Sequence, residues 1–75
     1  MNKQRRKDIS QIYEELQKIK DQLELVLDEE NEAKENYPEN LHQSERYEAM
    51  EEACYNLEDA LSGVETAIDY LGDIE

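Results

Sequence analysis

The chain predicts an all-α fold: an antiparallel two-helix hairpin of coiled-coil character that dimerises into a four-helix bundle. Three observations carry this. Apolar residues recur at alternating steps of three and four through both halves of the 75 residues. The single proline falls near the middle of the chain. With no Trp, no Phe and only two Gly, the composition suits neither a β-sandwich nor a flexible linker. The length bounds the chain to one small domain. It divides into helix 1 at about residues 3–36, a turn at 37–43 and helix 2 at about 45–72.

Helix 1 follows from Ile9, Ile12, Leu16, Ile19, Leu23 and Val26, which alternate between heptad positions a and d when Ile9 is set at a. Tyr13 and Leu27 fall on the adjoining e position. The apolar stripe is therefore about three positions wide per heptad, the kind of face a bundle helix buries. Continuing the register puts Ala33 at d and Tyr37 at a.

Pro38 ends the helix, because it disfavours helical geometry in the residue before it and has no N–H to donate. The turn follows, with Leu41 expected against the end of the bundle. Ser44 is the expected N-cap of helix 2, its hydroxyl accepting from a free backbone N–H of the first turn. Glu45 and Glu48 then sit where the helix dipole favours acid.

Helix 2 keeps the same period. Met50, Ala53, Leu57, Ala60, Val64, Ala67, Leu71 and Ile74 alternate between a and d, and Tyr47, Cys54, Leu61 and Ile68 occupy e. Alanine at three successive d positions lets a neighbouring backbone approach closely. Helices of similar length with a short connection pair antiparallel. That pairing sets Lys3, Arg5, Arg6 and Lys7 beside Asp69, Asp73 and Glu75, where the opposite charges are expected to offset each other. Two helices cannot cover stripes this wide. A second copy, or a partner's helices, is expected over Leu16, Ile19, Leu23, Leu57, Leu61, Val64, Ile68 and Leu71.

The sequence carries no sign of catalysis. It lacks a glycine-rich phosphate loop, a zinc-type cysteine spacing and a serine–histidine pairing. Glu39 and His42 have the ExxH spacing of carboxylate metal sites, but they follow a proline in a turn and no second Glu–His pair lies on the stripe. His42 is read as a solvated loop residue and Cys54 as a small buried apolar side chain. Neither an enzyme nor a cofactor nor a metal is expected. A single cysteine permits no internal disulfide. No apolar run approaches the roughly 20 residues of a membrane span, and the basic start lacks the apolar segment of a secretory signal. A cytoplasmic protein is expected.

Charge is the strongest functional signal. There are 21 acids against 8 bases, a net charge of −13. The basic arm NKQRRK could meet nucleic-acid phosphates, yet residues 21–75 hold 18 acids and two bases and would repel them. On helix 2, Glu51, Glu52, Glu58, Asp59 and Glu65 occupy b and c; on helix 1, Glu14, Asp21, Asp28 and Glu35 occupy f. Any soluble bundle needs polar outer faces, but an ordinary one mixes signs. Rows of one sign suit a basic protein partner, with Tyr55 as an exposed anchor. The alternative is a structural or regulatory module that acts through its apolar stripe, as a homodimer or mixed bundle, with the basic arm on nucleic acid.

The segments Tyr37-Pro38-Glu39-Asn40-Leu41, Ser44-Glu45-Arg46, Met50-Glu51-Glu52-Ala53 and Asn56-Leu57-Glu58-Asp59-Ala60 resemble small acidic helical proteins encoded by phages and mobile elements of Gram-positive bacteria. Tyr47 departs from the small residue expected after Ser-Glu-Arg. The resemblance implies a bacterial host cell and a role in blocking a basic, nucleic-acid-binding or defence-related host protein by imitating nucleic-acid charge. It supplies no catalytic residues.

Overall fold

The computed structural model describes residues 1–74, and among them the architecture is an all-helical hairpin. Helix α1 runs Lys3–Glu35, a single 3-10 turn covers Glu39–Leu41, and α2 runs Glu45–Gly72. The molecule extends 59 × 14 × 14 Å. Its radius of gyration is 17.2 Å, against roughly 11 Å for a compact domain of this length. It is a rod two helices thick, and that shape limits how much any side chain can bury.

Each helix end is closed by a local device. Asn2 caps α1, its side-chain oxygen accepting from the Arg5 N–H at 2.8 Å. This cap matters because the first turn of α1 holds bases and no acid to meet the helix dipole. At the far end the Asn36 N–H donates back to the Glu32 carbonyl and the Tyr37 N–H to the Lys34 carbonyl, and Lys34 lies in the last turn, where positive charge is favoured. Ser44 caps α2: its hydroxyl accepts from the Tyr47 N–H at 3.2 Å and donates to the Leu41 carbonyl at 2.7 Å.

The chain reverses without any left-handed residue among those described. Pro38 is extended at ψ 132°, and the 3-10 turn then folds the chain back, with Leu41 N–H donating to the Pro38 carbonyl at 2.9 Å. Leu41 does not tuck against the bundle end as expected; it is exposed. His42 takes that role. Its ring stacks on Tyr47 with centroids 4.2 Å apart, and its Nε2 lies 3.1 Å from the Tyr37 carbonyl. Tyr37 and Tyr47 approach to 5.9 Å across the hairpin. His42 is thus a half-buried clamp on the turn, correcting its reading as a solvated residue.

The helices meet along a and e rather than along a and d. On α1 the half-buried positions include Ile9, Tyr13, Leu16, Lys20, Leu23, Leu27, Glu30 and Lys34. On α2 the most enclosed are Cys54, 2% exposed, and Ile68, 8% exposed, both at e. These are the only buried residues among those described. Three polar side chains stand in the α1 half of the seam, so its apolar content fades toward the turn. The d column of α1 remains open: Ile12 is 47% exposed, Ile19 42% and Val26 46%. Ile19 therefore lies outside the closed stripe in which the periodicity places it. Of the d alanines of α2, Ala60 is exposed, while Ala53 and Ala67 are half-buried at the edge of the seam.

Candidate functional site

Helical geometry sorts the remaining positions into two flanks. Successive residues are 100° apart around a helix. Position d therefore stands roughly 80° to one side of the a/e seam, b roughly 80° to the other and f roughly 120° on the b side. Because the helices run antiparallel, like positions of both helices come to the same side, as in any antiparallel coiled coil. One flank holds the d columns and the other holds b and f.

The b and f flank is acidic. It gathers Glu14, Asp21, Asp28 and Glu35 from α1 with Glu51, Glu58 and Glu65 from α2. Glu24 joins them from the b column of α1. No Lys or Arg occupies a b or f position on α1 beyond Lys7, or on α2. Glu52 and Asp59, at c, face outward beside this flank. All of these acids except Glu51 are exposed; Glu51 is half-buried. Tyr55 is exposed on the same flank, at f.

These carboxylates are almost wholly unneutralised. Among the described residues one ion pair forms, Lys20 to Glu24 at 3.9 Å, with Lys20 half-buried and Glu24 exposed. The basic start of α1 makes no ion pair with Asp69 or Asp73 within 4.0 Å. The two ends do lie side by side: Arg6, Ile9, Ser10 and Tyr13 face Leu71, Gly72 and Ile74 around a shallow cavity of about 360 Å³. The charges there act at longer range than a direct contact. Glu75 lies outside the described residues.

The other flank is apolar. Ile12, Ile19 and Val26 line it from α1, with Ala53, Ala60, Ala67 and Ile74 from α2. Of the stripe residues expected to self-associate or meet a partner, Ile68 is buried in the seam, Ile19 is exposed on this flank, and Leu16, Leu23, Leu57, Leu61, Val64 and Leu71 are half-buried between the helices.

Among the described residues no three His, Cys, Asp or Glu converge as a metal set. Cys54 is a free, enclosed thiol, and His42 is engaged by the Tyr37 carbonyl. No helix among the described residues is long and apolar enough to cross a membrane. What sequence reasoning missed is the union of the two acid rows on one side. That union depends on which positions form the seam, and the larger side chains at e, Tyr13, Leu27, Leu61 and Ile68, against alanines at d of α2 were the signal available to find it. Comparison of the chain with protein families, curated proteins and solved structures finds no match.

Proposed function

We propose that this protein acts by binding rather than by catalysis, docking its acidic flank on a protein with a basic surface. The observation that carries the reading is the flank itself: carboxylates from both helices on one side, with a single weak ion pair among them. Rows of like charge repel each other and lower stability. Such a surface has a use when a cationic partner desolvates and screens it, and complementary fields then speed the encounter.

The magnitude of the charge suggests which partner surface fits. A net charge of −13 spread over 59 Å is one charge per roughly 4.5 Å. A nucleic-acid single strand carries one per about 3.4 Å and a duplex one per about 1.7 Å. The rod therefore imitates the charge of a single strand more closely than that of a duplex. A groove evolved to hold nucleic acid, as in a host defence protein, is the kind of target this suits. The resemblance to proteins of phages and mobile elements supports a bacterial cytoplasmic setting and an inhibitory role. The basic arm stays with its own hairpin end in this reading, and nucleic acid is not the partner.

The test compares wild type with a variant in which Glu51, Glu52, Glu58 and Glu65 become Gln and Asp59 becomes Asn. Affinity capture from bacterial lysate should retain a basic protein at low salt and release it at high salt. The variant should retain far less while keeping its helical circular-dichroism signal. Equal retention by both, insensitive to salt, would sink the electrostatic reading.

A further inference from the structure

The apolar flank points to a specific occupant. Tyr13 against Gly72 at one end and Tyr37 against Tyr47 at the other fix the register of the hairpin. Each step of seven along α1 is answered by seven back along α2. Ile19 is therefore level with Ala67, Val26 with Ala60 and Ala33 with Ala53. The two central layers of the flank pair a large side chain on α1 with an alanine on α2, the Ala33–Ala53 layer is small on both helices and Ile12 is level with Ile74, and layers repeat about every 10.5 Å.

We propose that the occupant is a second copy of this chain, related by a two-fold axis parallel to the rod, so that α1 of each copy lies on α2 of the other. That operator keeps every layer at its own level. Ile19 of one copy meets Ala67 of its partner, and Val26 meets the partner's Ala60, large against small at the same spacing. The alternative operator, which turns the second hairpin end over end, sets α1 on α1 and brings Ile19 level with Val26. Charge separates the two arrangements. Beside the d columns lie the g positions: Glu15, Gln22 and Glu29 on α1, but Asn56, Gly63 and Tyr70 on α2. With α1 on α2, Glu15 lies near Tyr70 and Glu29 near Asn56. With α1 on α1, Glu15 lies near Glu29 and like charges oppose each other. Size and charge select the same dimer.

This dimer leaves both acidic flanks outward, on opposite sides, so it stands independently of the function proposed above. Its salt response also has the opposite sign. Two chains of net charge −13 repel each other, and screening should strengthen their association. Capture of a basic partner should weaken under the same change.

Two experiments on the full chain decide it. Sedimentation equilibrium should give twice the 8.9 kDa chain mass, with dimer dissociation at least tenfold weaker in 0.5 M than in 0.05 M salt, the salt range serving as an order-of-magnitude screen. A monomer at both salt concentrations, or a dimer that dissociates as salt rises, overturns the proposal. For topology, Val26→Cys and Ala60→Cys are made separately in a Cys54→Ala background and mixed under mild oxidation. A mixed disulfide should dominate. A product dominated by Ala60→Cys self-linkage, or no linkage in the mixture, overturns the arrangement. Because these substitutions change no charge, a failure of linkage is distinguishable from a failure of the acidic-flank reading.

Discussion

At the scale of single residues, stability rests on a few local devices rather than on a core. Ser44 satisfies one of the open donors of α2 and also ties down the Leu41 carbonyl. Ser44→Ala should cost about 1 kcal/mol, measured by urea denaturation followed at 222 nm. His42 stacks on Tyr47 and engages the Tyr37 carbonyl. His42→Ala should cost about 1 kcal/mol, and a His42→Phe variant should recover the stacking share of it. Full recovery by Phe would show that the contact to Tyr37 adds nothing. Cys54 is enclosed, so an aromatic disulfide reagent should react with it slowly in native buffer and rapidly in denaturant. Prompt labelling of native protein would mean that the seam opens readily around its most enclosed side chain.

At the scale of elements, each helix is long enough to form, but the pairing leaves Ile12, Ile19, Val26 and Ile74 exposed. α1 spans 33 residues and α2 28, hence about 50 and 42 Å. Gly63 lies inside α2 with nothing within 4 Å of the space a Cβ would fill. Gly63→Ala should raise stability by about 0.5–1 kcal/mol through helix propensity alone, seen as a higher melting temperature. Gly72 is different, because a Cβ there would come within 3.2 Å of the Tyr13 ring. Tyr13 must give way by a few tenths of an ångström, so Gly72→Ala should gain less than Gly63→Ala. The turn between the helices is built from Pro38 and one 3-10 turn, and its end is closed by aromatic rings rather than by Leu41.

At the scale of the whole molecule, charge and shape dominate. A thin rod with a net charge of −13 and one ion pair among its described residues works against its own repulsion. Its melting temperature should rise with added salt, because screening relieves that repulsion. A fall with salt would mean that favourable pairing outweighs repulsion after all. The two flanks differ in chemistry, one lined by carboxylates and one by apolar side chains, and the two proposals above rest on that difference.

By itself the sequence determined the hairpin. The steps of three and four in Ile9 to Val26 and Met50 to Ile74, broken once at Pro38, leave an amphipathic chain no other economical way to shield its apolar residues. Serine at the start of α2 and an enclosed Cys54 were legible for the same reason, since capping and periodicity are local. Only the tertiary structure decided which column of the three-wide stripe closes. The a and e columns meet and the d column of α1 is left open, although it is more apolar than e there, because Tyr13, Leu27, Cys54 and Ile68 enclose more at e than the small alanines of α2 could at d. That rotation carries the two acid rows onto one side and Ile12, Ile19 and Val26 onto the other. The periodicity of each helix is blind to it, since a seven-residue repeat reads the same whichever edge of the stripe faces the partner.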